Sequence, residues 1–310
     1  MQKFEIIPQG PFQLAEEAEY FGGWPPLAAD PAAVGMAFPV EGWRTSAAVI
    51  LRQDATTRIT GEVHGAEGDD AAAAWRQALA VVSLDADGQG WPEIGRRDPV
   101  IGRLQAQYNC VRPVCFHTPY EAAAHFVIGQ RISVQQARTI RLAMARAVGD
   151  PIQVGDEQLY AFPRPQVLAE LTSFPGLSEE KVHRLQGLAR AALDGVLDRE
   201  RLRAVPPAQA LSELLALRGV GPFSAQGILF RGAGLVDDVT EDENTNRAVQ
   251  LAYQLPAPAD HGTVLRLAEN WRPYRMWAVV LLHIWLRREG GGAVSATAHR
   301  RPPRAARSNP

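Results

Sequence analysis

The chain contains little cysteine and no long apolar segment. Its 310 residues include two cysteines, Cys110 and Cys115, too few for a four-cysteine iron–sulfur cluster or a zinc site built from cysteine alone. Their spacing matches no metal-binding signature, so we expect buried or reduced thiols and no metal. No apolar run reaches the ~18 residues that span a membrane, and the N-terminus has no signal-peptide pattern. These absences predict a cytoplasmic protein without a membrane partner.

The chain also lacks a large net charge, which is −2 at pH 7, but its charges are unevenly distributed. Residues 1–100 carry 15 acidic and 7 basic side chains, a balance of −8, whereas residues 101–310 carry 19 acidic and 25 basic ones, a balance of +6. All basic residues of the second part except Lys181 are arginines, which make bidentate contacts with phosphate. Codon usage in a GC-rich genome accounts for the arginines equally well, so the asymmetry only supports a nucleic-acid partner.

The first 100 residues have the pattern of a β-rich domain. The segments VILRQ (49–53) and RITGEVHG (58–65) are rich in β-branched residues and are separated by the polar DATT, which predicts a β-hairpin. The alanine-rich segment 71–85 predicts an amphipathic helix. Glycine and proline recur over residues 85–99, so we expect a loop there.

From residue 101 the pattern becomes helical, and residues 101–288 are predicted to form an all-α domain of about eight helices. Three of these helices begin with a polar residue suited to the N-cap position: Thr118, Ser133 and Ser178. The predicted fold class is α+β, with an N-terminal antiparallel β-rich domain (1–100) before the helical one. The last 20 residues contain four arginines and no acid, so we expect 289–310 to be a disordered basic tail or a weak DNA tether.

The segment LRGVGPFSA (217–225) interrupts two helical patterns with closely spaced glycines. One interpretation is an ordinary turn between helices, with Gly219 or Gly221 in the left-handed conformation that other residues avoid. The other is a phosphate site, in which the backbone amides of the turn point along the start of the next helix. This stretch by itself leaves both interpretations open.

Four stretches, in this order, resemble the helix-hairpin-helix DNA glycosylases, most closely the AlkA type, 3-methyladenine DNA glycosylase II. They are VIGQRIS (127–133), LTSFPGLSEEKVHRLQGLARA (171–191), LLALRGVGPFSAQGILFRG (214–232) and VLLHIW (280–285). The resemblance spans roughly residues 100–288, and the N-terminal domain fits the additional β-rich domain of AlkA-type enzymes. It implies a base-excision repair enzyme that flips an alkylated purine out of duplex DNA and hydrolyses its N-glycosidic bond.

The resemblance also implies which residues contact DNA. At the position of Arg131, AlkA has a leucine that it inserts into the duplex. Here the arginine would fill the gap left by the flipped base. The amides of the hairpin glycines would bind a DNA phosphate. The implied DNA-binding residues are Gln130, Arg131, Gly219, Val220, Gly221, Ser224 and Arg247.

The family's catalytic carboxylate corresponds to one of two adjacent acids in VDDVTEDENTNR (236–247). A gap-free alignment with AlkA selects Glu243, whereas the five-residue spacing to Arg247, typical of other branches, selects Asp242. AlkA-type sequences usually have a proline just before this acid, where Thr240 and Glu241 stand here. The alternative for both acids is a structural role, since acidic side chains stabilise a helix N-terminus.

Three residues are implied to line the base pocket: Trp285, Phe223 and Leu286. Trp285 would stack on a cationic purine. Family members that also cleave the strand have a lysine at the position of Phe223, so the resemblance implies a monofunctional enzyme with water as nucleophile and no AP-lyase activity. Tyrosines are frequent in the family at positions 227 and 286, and Gly227 and Leu286 therefore predict a less aromatic, wider pocket. We expect Tyr120, Trp277 and His283 in the core or the pocket wall.

Two other functions remain open at this point. The unusual acidic segment is compatible with a helix-hairpin-helix protein that binds damaged DNA without cutting it, and the pocket is compatible with deaminated or oxidised purines. The resemblance allows a monovalent cation at the hairpin carbonyls, whereas the two cysteines exclude a four-cysteine iron–sulfur cluster. We expect a monomer whose partner is duplex DNA with a damaged base.

Overall fold

A four-stranded antiparallel sheet forms the N-terminal part of the protein. The computed structural model describes residues 1–21, 24, 27–28, 30–108 and 111–289. The strands are β1 (Gln2–Ile6), β2 (Val34–Pro39), β3 (Ser46–Gln53) and β4 (Ile59–His64), in the order β1-β4-β3-β2. The predicted hairpin is confirmed, because β3 and β4 pair in register with Val49 opposite Val63. Strands β1 and β2 extend this hairpin on either side.

Helices flank the sheet. Helix α1 covers Leu14–Phe21, and α2 covers Gly68–Val81, which confirms the helix predicted from the alanine-rich segment. Trp75 of α2 lies on β4 at Gly61, where a Cβ atom would be 2.2 Å from the indole ring. The small residue therefore lets the helix pack closely on the sheet, and the two elements enclose a core separate from that of the helical part.

The loop predicted over residues 85–99 is only partly correct, because helix α3 (Trp91–Arg97) lies within it. Pro92 stands in the first turn of this helix, where a missing amide costs no intrahelical hydrogen bond. Trp91 and Ile94 are buried against the helical core, so tertiary packing stabilises a segment whose glycine and proline content favoured a loop.

The remaining chain is mostly helical, as predicted, with 3₁₀ and π turns at Glu269–Trp271 and Ile228–Gly232. The helices Pro99–Gln107, Arg199–Ala204 and His261–Ala268 add to those that were predicted. The helices are α4 (Pro99–Gln107), α5 (Pro119–Gly129), α6 (Val134–Val148), α7 (Pro165–Ala169), α8 (Glu179–Leu193), α9 (Arg199–Ala204), α10 (Pro207–Leu215), α11 (Pro222–Gly227), α12 (Glu243–Ala252), α13 (His261–Ala268) and α14 (Arg275–Arg288).

All three predicted N-caps are confirmed. The Thr118 hydroxyl accepts a hydrogen bond from the Glu121 amide. Ser133 forms a capping box with Gln136, and Ser178 accepts from the amide of Lys181. Each cap satisfies an amide that the first helical turn leaves unpaired. These local contacts define where α5, α6 and α8 begin.

A short hairpin corrects the expectation that residues 101–288 are entirely helical. Strands β5 (Pro151–Val154) and β6 (Glu157–Tyr160) pair antiparallel after α6. Ile152 of β5 and Ala161 pack against Ala48 of the N-terminal sheet. The hairpin thus covers part of the sheet face that α2 leaves open.

Helix α14 passes through the centre of the helical part, and its residues from Arg275 to Leu282 are all buried. Trp271 and Trp277 are among the largest fully buried side chains. In the described ranges no helix is both long and apolar enough to cross a membrane. The predicted tail lies outside the described residues, apart from Glu289.

Candidate active site

The turn between α10 and α11 has the geometry of a tight hairpin. Gly219 has φ +88°, so the left-handed conformation predicted for one of the two glycines is found there, while Gly221 caps α11 in an extended conformation. Val220 is buried, and its amide donates to the carbonyl of Leu217. In the described part of the chain, the amides of Gly219 and Gly221 donate to none of the backbone carbonyls that form the hydrogen bonds of turns, loops and caps. Within that part of the chain, the amides of the two glycines therefore have no such backbone partner, whereas the Val220 amide has one.

The loop that carries Gln130 and Arg131 lies directly beside this hairpin. The Gln130 Nε2 amide donates to the Gly219 carbonyl over 2.7 Å. Arg131 is exposed and has φ +59°, a conformation that costs a non-glycine residue about 1–2 kcal/mol. The structure therefore joins the two predicted DNA-binding segments, and it holds Arg131 at the tip of a strained loop.

Asp242 is the N-cap residue of α12. Its Oδ1 atom accepts a hydrogen bond from the Thr245 amide over 2.9 Å, and its Oδ2 atom accepts one from the Thr245 hydroxyl over 2.7 Å. The same hydroxyl lies 3.0 Å from Nε2 of His283 on α14 and 3.1 Å from the Thr240 hydroxyl. Because the hydroxyl has one proton, which it donates to Asp242, His283 acts as the donor to Thr245.

Burial and hydrogen bonding set the protonation of this pair. Burial raises the pKa of Asp242, but His283 and the hydrogen bonds from Thr245 outweigh it, so the pKa lies below its ordinary value. Burial lowers the pKa of His283; Asp242 opposes this, and Arg231 and Arg287 reinforce it. At neutral pH the site therefore contains an ionised carboxylate beside a neutral imidazole. The Asp242 side chain is 14% exposed.

Glu243 has a different environment from Asp242. It is the first residue of α12, and its side chain is exposed. In the described part of the chain its carboxylate has no hydrogen bond or ion pair. Arg247, one turn further along α12, is likewise exposed. Of the two candidate acids, only Asp242 is held in a defined position.

Phe223 belongs to an aromatic cluster at the surface of α11. It is 66% exposed, and its ring lies 5.7 Å from that of Phe126 at an angle of 87°. Phe126 in turn lies 6.0 Å from Phe116 and occupies the space beside Gly227, where a Cβ atom would be 2.1 Å from its ring. Phe126 thus occupies the space that a side chain at position 227 would take.

Trp285 and Leu286 follow His283 on α14. Leu286 is buried in the core, and Trp285 is half-buried against its edge. Residues two apart on a helix point in different directions, so Trp285 does not share the face on which His283 meets Thr245. Ser224 is half-buried in the first turns of α11. The structure thus places Trp285 and Leu286 near the end of α14 and Ser224 beside the hairpin.

No protein-family model matches the chain. Two relatives in sequence are named as a DNA glycosylase and a DNA repair enzyme. DNA-3-methyladenine glycosylase of Bacillus subtilis is 24% identical over 208 residues, which cover 64% of this chain and 67% of that protein. The probable bifunctional transcriptional activator/DNA repair enzyme AlkA of Mycobacterium tuberculosis is 29% identical over 217 residues. That match covers 66% of this chain and 40% of the relative.

Solved structures share the fold over nearly the whole chain. The 3-methyladenine DNA glycosylase from Archaeoglobus fulgidus has a TM-score of 0.75 at 18% identity and covers 92% of this chain and 98% of its own. MBOgg1, solved in complex with a low affinity DNA ligand, has a TM-score of 0.70 at 17% identity, with coverages of 94% and 97%. The chain is similar in sequence to AlkA-like DNA glycosylases and has the fold of the helix-hairpin-helix glycosylases. The predicted resemblance and the predicted fold class are confirmed.

Sequence reasoning missed Thr245 and Gln226 at this site, and it placed His283 in the core or the pocket wall without a role. Thr245 and His283 hold Asp242, and Gln226 accepts a hydrogen bond from the Glu241 amide, which ties α11 to the acidic segment. Thr245 could have been found, since a residue three positions after an N-cap is its usual partner. The contact of His283 with Thr245 spans 38 residues of sequence, so no local pattern indicated it.

Proposed function

We propose that this protein hydrolyses the N-glycosidic bond of alkylated purines, of the 3-methyladenine type, in duplex DNA. The observation that carries the proposal is the position of Asp242, an ionised and largely shielded carboxylate held by Thr245 at the start of α12. Names of relatives in sequence point to the same substrate class. Asp242, not Glu243, is the catalytic acid in this proposal.

The proposed mechanism begins with an alkylated purine that carries a positive charge and is therefore a good leaving group. The bond between the base nitrogen and C1′ breaks, its electron pair goes to the base, and the sugar acquires oxocarbenium character. Asp242 stabilises this cation and orients a water whose oxygen bonds to C1′ and whose proton the carboxylate accepts. Electrons and charge balance without a further reagent.

Two side chains would hold the flipped base, and a third would fill its place in the duplex. Trp285 and Phe223 would face the cationic base, with a cation–π contribution of about 0.5–2 kcal/mol for each stacked ring. Arg131, at the exposed tip of its loop, would enter the duplex and fill the space that the base leaves. The glycine amides of the hairpin would bind a phosphate beside the damaged nucleotide.

The proposal includes no strand cleavage. The chain has two lysines, Lys3 and Lys181. Lys3 lies on β1, and Lys181 donates to the carbonyl of Ile128 beside the Arg131 loop. Position 223, where a Schiff-base lysine would stand, is phenylalanine. Sodium borohydride treatment during turnover should therefore trap no covalent protein–DNA adduct.

Release of free base from methylated duplex DNA tests the proposal. The wild type should release 3-methyladenine, and Asp242→Asn should lower the single-turnover rate by about 10²–10⁴-fold while it retains DNA binding. Glu243→Gln, one position away, is the matched control and should stay within a few-fold of the wild type. Loss of activity in Glu243→Gln instead would assign the acid to Glu243. DNA binding without release of alkylated, deaminated or oxidised bases would favour a binding protein.

A further inference from the structure

The hairpin between α10 and α11 contacts a charged network that the proposed reaction does not use. Arg184 of α8 lies against Gly219, where a Cβ atom would be 2.6 Å from Arg184 Cδ. Arg184 NH1 donates to Gln130 Oε1 over 2.6 Å, and Gln130 Nε2 donates to the Gly219 carbonyl over 2.7 Å. The guanidinium, the amide and the carbonyl thus form one continuous chain of hydrogen bonds.

This network carries an excess of positive charge. Glu180 accepts hydrogen bonds from Arg184 Nε over 2.9 Å and from Arg218 NH2 over 3.0 Å. One carboxylate therefore faces two guanidinium groups, which leaves one uncompensated positive charge beside the hairpin. Lys181, on the same helix, adds another where it donates to the Ile128 carbonyl.

A monovalent cation at this hairpin would need carbonyl oxygens in a neutral or negative environment. The Gly219 carbonyl already accepts from Gln130, and the Leu217 carbonyl accepts from the Val220 amide. A carbonyl oxygen has two lone pairs, so these bonds by themselves would leave room for an ion. The charge of Arg184 decides against it, because two like charges at short range repel strongly where solvent is partly excluded. These residues do not fit a cation.

We propose that Arg184 takes the place of a bound cation at the hairpin of this protein. Its guanidinium supplies the positive charge that attracts a DNA phosphate to the amides of Gly219 and Gly221. Through Gln130 it also fixes the loop of Arg131 to the hairpin. The inference rests on the proposed function only in that the hairpin binds DNA; it does not depend on which base is released.

The inference is tested by the binding of a fluorescent DNA duplex, which fluorescence anisotropy measures. The measurements are made at one ionic strength in potassium, sodium or tetramethylammonium chloride. The wild-type dissociation constant should be the same within about twofold in the three salts. Arg184→Met keeps an apolar side chain of similar length, and it should bind about five- to tenfold more weakly in tetramethylammonium, with recovery in potassium. Recovery is expected because a small ion can then reach the carbonyls.

The matched control is Arg190→Met, which removes the same charge from an exposed position on the same helix. It should show no dependence on the cation. Glu180→Gln is the second variant, used in case Arg184→Met fails to fold. It removes the shared carboxylate, so it should strengthen DNA binding in all three salts.

Three results would overturn the inference. Wild-type binding that is tenfold weaker in tetramethylammonium than in potassium would show that the hairpin uses an ion, and it would leave the proposed glycosylase function intact. Identical behaviour of Arg184→Met and Arg190→Met in every salt would remove the special role of Arg184. Absence of DNA binding by the wild type in all salts would overturn this inference and the proposed function together.

Discussion

The Thr245 hydroxyl donates to Asp242 Oδ2 over 2.7 Å, one turn into the helix that Asp242 caps. Thr245 is completely buried, and its amide donates to the other carboxylate oxygen. One residue thus satisfies both oxygens of the carboxylate from one side. The carboxylate keeps its charge and its direction, which are the two properties that stabilisation of a developing cation requires.

Removal of the Thr245 hydroxyl should therefore weaken catalysis. Thr245→Val keeps the volume but not the hydrogen bond, so we expect base release to slow about tenfold. The acidic limb of the pH–rate profile should move to higher pH, because the bond that lowers the pKa of Asp242 is gone. Thr245→Ser restores the hydroxyl and should restore the profile. An unchanged acidic limb in Thr245→Val would contradict this role.

The protonation of His283 can be measured directly. Burial lowers its pKa below the ordinary value, so the imidazole should be neutral at pH 7, with its proton on Nε2 toward Thr245. Long-range ¹H–¹⁵N spectra would identify this tautomer. Asp242→Asn removes the charge that raises the pKa of His283, so titration should shift to still lower pH. A titration midpoint above pH 6.5 in the wild type would refute the assignment.

Gly227 should resist substitution because Phe126 occupies its side-chain space. Gly227→Ala places a Cβ atom 2.1 Å from the Phe126 ring and should lower the free energy of unfolding by about 1–3 kcal/mol. Gly187→Ala is the control, since this helical glycine has nothing within 4 Å and should gain about 0.5–1 kcal/mol. Urea denaturation measures both. Gly227→Ala/Phe126→Leu should recover part of the loss.

The strained loop at Arg131 predicts a separation of stability from activity. Arg131→Gly relieves the positive φ, so the free energy of unfolding should stay the same or rise by up to about 1 kcal/mol. Base release should fall about tenfold, because nothing then fills the gap in the duplex. Arg131→Leu, with a bulky side chain, should keep more activity than Arg131→Gly. Equal activity of the wild type and Arg131→Gly would exclude an inserted side chain.

His125 should make the folded state sensitive to acid. Burial and the charge of Arg141, whose NH1 lies 2.9 Å from Nδ1, lower its pKa to about 4. Between pH 6.5 and 4 the unfolded chain binds a proton that the folded one does not, so stability present at neutral pH is lost as the pH falls. The loss should approach about 3 kcal/mol. Urea denaturation from pH 7 to 4.5 should show that the free energy of unfolding declines less steeply for His125→Gln than for the wild type. Equal declines for the two proteins would contradict the lowered pKa of His125.

Local sequence determined a large part of this protein by itself. The caps at Thr118, Ser133 and Ser178, the hairpin of β3 and β4, and the left-handed Gly219 all depend on residues within a few positions of one another. Such features arise from backbone sterics and short-range hydrogen bonds, which a sequence pattern encodes directly. The resemblance to the family implied the acid pair at the start of α12, without a choice between Asp242 and Glu243.

Only the tertiary structure decided how these parts meet. The sequence pattern did not distinguish Asp242 from Glu243. Their environments differ because His283, from a helix distant in sequence, packs beside Asp242. Gln130 reaches the Gly219 carbonyl across 89 residues, and Phe126 fills the space beside Gly227. The charge, burial and direction of a side chain depend on neighbours brought together by packing of the whole core, and no local spacing encodes those neighbours.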